Sequence, residues 1–322
     1  MKNQRIVRDK DLDAIHGLLV LYMMLMHLLG FAIGTVSKYY YPLTHFLSFF
    51  MAWFYFKAGM FYRERTNVDC IKKASRRLLL PAIIYSFLGF LLYAILNKFK
   101  LDLSYELTSF YQSGAPHGNN PIWFLYSFFF VQVIYNAFRK IRISPYFIPL
   151  ISAVLFAIPS FINVSCVLFL NVPLGLFFYS MGVVLSQKQY VRWLWIASLL
   201  GYVILGLVPS VSDFRRGYYD PFWIGILWSL LSCVAINGLF RRIPFLSVKP
   251  LRFIGRNAII YYGTHWMIIL IAQAICTSLS LERSRAMVCY FAIFGIYILI
   301  CSAIVSRQNR NNGKNILEKD EE

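Results

Sequence analysis

The 322-residue chain is expected to be an all-α, polytopic integral membrane protein with about ten transmembrane helices and both termini in the cytoplasm. Three observations predict this. Hydrophobic residues make up 59% of the chain and charged residues only 14%, where a soluble domain carries about a quarter charged. The apolar residues gather in runs of the ~17–25 residues that a hydrocarbon core requires. Lysine and arginine collect in every second gap between runs, the pattern of cytoplasmic loops.

The runs lie at 12–34, 43–62, 78–97, 121–138, 146–163, 165–185, 192–208, 221–240, 257–277 and 286–305. The first follows a charged N-terminus, is long, and lacks a small-residue cleavage pattern, so it reads as a span and not as a removed leader. The second, "WFYFKAGMFYRER", ends on arginines, and the third is entered through the basic "DCIKKASRRLLLPAII". The fifth and sixth are separated only by 163–165, and the seventh ends at Pro209. With the N-terminus inside, the cytoplasmic segments hold 24 Lys and Arg and the external ones 7, with Lys57 inside a span. The net charge of +18 is thereby a topology signal, and a nucleic-acid partner is not expected. The six cysteines show no C-x-x-C spacing, so they read as packing residues without a metal site or disulfide framework. Residues 307–322 form a polar cytoplasmic tail whose composition predicts disorder.

Ionisable residues inside a bilayer are costly and mark cavities or partners. The first run, "LDAIHGLLVLYMMLMHLLGF", carries Asp13, His16 and His27. Eleven residues at 100° each bring His27 about 20° past three full turns from His16, roughly 16 Å further along the axis. Asp13 lies on the same face, one turn before His16. The bland reading makes Asp13 and His16 an interfacial pair at the helix start and His27 a satisfied core histidine. His265, in "IYYGTHWMII", falls near the midplane about 12 Å inward from Asn257, so it and His27 are at overlapping depths. Two deep histidines also suit haem ligation, but there is no second pair. Lys57 is expected to snorkel toward the basic end, and His45 and His117 to face water.

Several stretches together resemble acyltransferase family 3, the integral-membrane O-acyltransferases of bacterial surface polysaccharides and related glycans. "LDAIHGLLVLYMMLMH" is similar to the family's first-span signature of an Asp, a basic residue, ten residues and a His. "FYFKAGMFY", "RRLLLPAIIYS", "IWFLYSFFFVQVIY" and "FIGRNAIIYYGTHWMII" resemble its later spans, in order along nearly the whole chain. The resemblance implies a transmembrane acyltransferase domain over 1–306 in the bacterial inner membrane. Its substrates would be an acyl donor, most often acetyl-CoA, from the cytosol and a hydroxyl of a glycan or lipid-linked sugar. No permanently bound cofactor or metal is implied.

His27 maps to the family's catalytic histidine, as base or acyl carrier. His16 stands where a basic residue, usually Arg, is expected, and Asp13 and His265 complete the catalytic set. Lys73, Arg76 and Arg77 partly match the motif associated with the CoA donor, and cations there suit its phosphates. Plain positive-inside topology also accounts for them. His117, in the polar segment ahead of "PIWFLYSFFF", is expected with Trp123 and Asn257 to bind the acceptor. A partner protein that completes the transfer is compatible with this reading. The rival class is a transporter of a lipid-linked or small anionic substrate with the histidines as a proton relay; a polysaccharide polymerase would need a larger external loop.

Overall fold

The computed structural model describes residues 9–33, 45–100, 102–158, 166–186, 192–208 and 211–319. Lys2, Arg5, Arg8, Lys38, Lys188 and Pro209, used in the topology above, lie outside them. The described chain is almost wholly helical. Its elements are α1 (Lys10–Ile33), α2 (Phe50–Met60), α3 (Asn67–Ala74), α4 (Leu80–Leu96), α5 (Leu103–Ser113), α6 (Trp123–Lys140), α7 (Ile148–Ala157), α8 (Val167–Ser186) and α9 (Arg192–Gly206). A hairpin of β1 (Val211–Asp213) and β2 (Tyr218–Asp220) follows, then α10 (Phe222–Arg242), α11 (Lys249–Arg256), α12 (Ala258–Ser278) and α13 (Arg283–Lys319). The last helix continues past residue 307 into the polar tail that composition marks as disordered.

Among the described residues, seven stretches are long and apolar enough to cross a membrane: Lys10–Ala32, Asn67–Leu96, Asn120–Lys140, Val167–Ser186, Phe222–Arg242, Ala258–Ser278 and Arg283–Gln308. The other three expected runs are represented by α2, α7 and α9, with 11, 10 and 15 residues. Over the described residues, at about 1.5 Å per residue, these are shorter than a ~30 Å hydrocarbon core. Residues 46–49 form a turn between the helical His45 and α2, and Phe61 and Tyr62 end α2 by bonding back to Ala58 and Gly59.

Helix α1 is the central strut, packed on α11 and α12 and touched by α2, α10 and α13. Its Leu12, Ile15, Leu19, Met23, Met24 and Leu28 are all buried. Gly17 and Gly255 make the α1–α11 approach possible: a Cβ at Gly17 would overlap the Leu251 carbonyl, and one at Gly255 the Asp13 carbonyl. Gly59 and Gly182 do the same for α2 and α8, against Tyr179 and Phe56. In lipid there is little hydrophobic drive between helices, so backbone approach at small residues carries much of the association. Helices α4 and α13 lie outside, with Ile83, Phe87, Leu91, Val288, Leu299 and Ile304 exposed. That apolar outer surface suits acyl chains and not water.

Between α3 and α4 the helix widens into a π-turn over Ser75–Leu79, where the Leu80 amide donates to the Ser75 carbonyl. Pro81 explains it: proline has no amide to donate and its ring collides with the carbonyl four residues back, so the wider turn absorbs both defects. This turn presents Arg76 and Arg77 to the exterior. At the opposite end of the bundle, the β1–β2 turn is seated by Phe214. Its buried ring stacks on Tyr55 of α2, with centroids 5.4 Å apart, and packs against Phe178 of α8.

Candidate active site

The two histidines of α1 share a face but serve two cavities. The first cavity, of about 420 Å³, lies toward the hairpin end. It is lined by Met23 and His27 of α1, Asn120, Trp123, Tyr262 and Trp266, and by Asp213, Phe214 and Arg215 of the hairpin. The second, of about 260 Å³, lies toward the basic end and is lined by His16, Phe54, Lys57, Phe124, Phe128, Ala258 and Tyr262, among others. Tyr262 lines both, and its hydroxyl donates to the Pro121 carbonyl. Its ring thereby borders both.

His27 and His265 are brought together, as their depths suggested. His27 Nδ1 lies 2.9 Å from His265 Nε2 and the rings stack with centroids 5.1 Å apart. The chain of bonds fixes the tautomers. His265 Nδ1 sits 2.7 Å from the Tyr262 carbonyl, which can only accept, so Nδ1 carries the proton. His265 Nε2 is then a lone pair, His27 Nδ1–H must donate to it, and His27 Nε2 is left as a basic nitrogen. Trp266 packs edge-on against His27, 5.2 Å away, and holds the ring in place.

His16 is differently placed. Lys57 Nζ donates to His16 Nδ1 at 3.2 Å and to the Leu12 carbonyl at 3.1 Å, and it lies over the Trp53 ring. The expectation that Lys57 snorkels outward is therefore corrected: its ammonium turns inward, because a helix-start carbonyl, an imidazole and an indole face together replace its water. Asp13 is engaged by a neighbouring helix. Its carboxylate accepts from Arg256 Nε at 3.0 Å and ties α1 to the end of α11.

Lys73, Arg76 and Arg77 lie at the basic end around the π-turn, with Arg63 and Arg65 near enough to Lys73 to repel its charge. Asn136 organises the adjoining turn. Its side-chain oxygen accepts from the Tyr62 hydroxyl and the Arg65 amide, and its nitrogen donates to the Arg65 carbonyl and Asn67. Glu64 accepts from Lys140 at 3.0 Å, which holds its carboxyl below the ordinary carboxylate range.

The three expected acceptor residues are not gathered in one place. Trp123 lines the first cavity. Asn257 is at the other end, where its amide caps the Phe253 carbonyl at 2.8 Å next to the second cavity. His117 lines neither cavity. It bonds Glu106 at 2.7 Å and Ser109 at 3.3 Å, sandwiched between Tyr93 and Tyr105. His45, expected to face water, is buried and stacked on Trp228 with centroids 4.6 Å apart.

Asn119, Tyr262 and Arg215 carry site geometry that residue spacing did not reveal. Buried Asn119 donates to the Tyr85 and Gly263 carbonyls and so pins the Asn120–Ile122 turn beside the first cavity. Arg215 donates twice to the Ser113 carbonyl, from Nε at 3.2 Å and Nη2 at 2.9 Å. Burial draws its pKa below the ordinary guanidinium value, but a guanidinium keeps its charge in proteins. A buried asparagine among "HGNNP" and one arginine of an "RR" pair have no periodic signal to betray them.

No curated protein and no solved structure matches the chain. Comparison with protein families matches residues 9–307 to a family described as an acyltransferase domain. That span includes both cavities, the histidine pair and the basic π-turn, and the chain, a multi-pass membrane protein, belongs to acyltransferase family 3.

Proposed function

We propose that the protein moves an acyl group, acetyl in the first instance, from cytosolic acyl-CoA to a hydroxyl of a glycan or lipid-linked sugar. It would sit in the bacterial inner membrane with ten crossings and both termini inside, and the bilayer as its immediate partner. The observation that carries this reading is the bond series from Tyr262 carbonyl to His265 to His27, which leaves a basic nitrogen on a side chain lining a cavity.

The donor enters from the basic end. Lys73, Arg76 and Arg77 attract its phosphates, and the largely apolar second cavity takes the slender thiol arm, with Lys57 and His16 as its polar contacts. The acceptor occupies the first cavity, where Trp123, Trp266 and Tyr262 offer ring faces and Asn120, Asp213 and Arg215 offer hydrogen bonds. Its hydroxyl attacks the thioester carbonyl as His27 Nε2 takes the proton. Collapse of the adduct breaks the C–S bond, and the CoA thiolate leaves. His265 acts as a positioning residue that holds the His27 tautomer. Base catalysis of this kind contributes about 10²–10⁴-fold. The use of His27 Nε2 as a transient acyl carrier needs the same free nitrogen.

The test is to incubate membranes holding the protein with radiolabelled acetyl-CoA and to follow label into the polysaccharide and lipid-linked fractions. Label is expected with the wild type, and none with His27→Ala at equal protein level. Full labelling by that variant defeats the mechanism. Substrate movement without any need for CoA would favour a transporter.

A further inference from the structure

An acyl transfer at His27 develops negative charge on the thioester carbonyl oxygen, and a buried site must supply a donor there. His27 and His265 do not: one nitrogen of each is committed to holding the pair, and the remaining His27 nitrogen is the base. Lys57 lines the other cavity. Among the described residues lining the first cavity, Arg215 is the cation.

Its mounting differs from that of a surface arginine. The backbone is held where the Arg215 carbonyl accepts from Asn171 of α8 at 3.3 Å, and the preceding Phe214 is buried in the bundle. The two N–H groups bound to the Ser113 carbonyl fix the guanidinium plane. Of five donors this leaves three. The charge is within electrostatic reach of both His27 and Tyr262. Arg216, next in the chain, does not line the cavity: its side chain is 77% exposed and pairs with Asp213 at 3.7 Å.

We infer that Arg215 is a catalytic residue of the transfer, donating from its free guanidinium N–H groups to the carbonyl oxygen as the acceptor hydroxyl adds. This rests on the acyl-transfer reading above. As the C–O bond forms, the carbonyl π pair moves onto oxygen opposite Arg215 and the hydroxyl proton moves to His27 Nε2. As the pair returns, the C–S bond breaks and the thiolate leaves. The hairpin's function is then to carry a positive charge to the reaction from outside the helix bundle.

The experiment uses the full chain in detergent or nanodiscs, with acetyl-CoA as donor and water as acceptor, and reads thiol release. Arg215→Gln is expected to lower kcat by about 10²-fold, the cost of one oxyanion donor, while KM for acetyl-CoA stays within about threefold. Arg215→Lys retains the charge and is expected to recover part of the rate, and added guanidinium ion to restore part of it to Arg215→Ala. A structural pin to the Ser113 carbonyl, which accepts from either side chain, predicts that Arg215→Gln and Arg215→Lys behave alike. Arg216→Gln should match the wild type. An active wild type with Arg215→Gln unchanged in kcat, or altered mainly in KM, overturns this inference alone. Where the wild type releases no thiol to water, the same variants are read by label transfer from acetyl-CoA to the polysaccharide and lipid-linked fractions, and a wild type that gives neither overturns the acyl-transfer reading and this inference with it.

Discussion

The two cavities on α1 are built around the same residue type on the same helix face, yet they end in opposite chemistry. At His27 the neighbour is another imidazole, whose second nitrogen is locked by a backbone carbonyl, so the pair is neutral and one basic nitrogen is left over. At His16 the neighbour is an ammonium that donates to the ring, so His16 accepts and the local charge is positive. Depth and spacing are insufficient to assign a membrane histidine. What decides is the group that bonds its other nitrogen.

Breaking that distinction should give the largest effect. His27→Ala is expected to lower acyl transfer by about 10³-fold, whereas His16→Ala should leave a readily measured rate. Equal losses in steady-state assays would show that the two sites act as one. His265→Asn is the sharper variant, since it spares His27 and removes only its acceptor. The His27 tautomer is then free to reverse, and a loss of about 10–100-fold in kcat with little change in donor KM is expected. If His265→Asn behaves as the wild type, the bond series is structural.

On the other side, Lys57→Met removes the positive charge from the second cavity while keeping its length. Donor KM should rise about tenfold, or roughly 1.4 kcal/mol of lost binding, with kcat largely kept. A fall in kcat with unchanged KM would move Lys57 from donor binding to chemistry.

The legible part of this molecule was the part with periodicity. Runs of apolar residues revealed its helical membrane character, and the overlapping depths of His27 and His265 placed those two together, while the face shared by His16 and His27 did not bring them to one cavity. Seven of the ten expected runs coincide with long apolar helices, and α2, α7 and α9, shorter over the described residues, stand at the other three. Lys57 was misread because snorkelling assumes the nearest polar partner is water, but the Leu12 carbonyl and His16 are brought to it by α1–α2 packing. The acceptor set scattered because His117, Trp123 and Asn257 were chosen from stretches that only the fold can bring together. Arg215 lay in a short external turn where it counted merely as a charge, and its half-buried position follows from Phe214 anchoring the hairpin.

The smallest effect belongs to the basic end, at Glu64. Its carboxyl is held below the ordinary range chiefly by the Lys140 hydrogen bond, with Arg139 adding attraction. A carboxyl lowered on folding contributes stability that is present above its unfolded value, near 4.5, and lost as pH falls through the folded one. The pair is solvent-exposed, so screening by salt leaves it little weight. Glu64→Gln should leave Tm at pH 7 unchanged within error and make the acid limb of a Tm–pH profile slightly shallower, a difference that added salt should erase. It also removes a carboxylate beside Arg63 and Arg65, so donor KM should fall slightly if those cations meet the CoA phosphates. A Tm loss of several degrees at pH 7 would instead make Glu64 a structural clasp between the 62–66 turn and the end of α6.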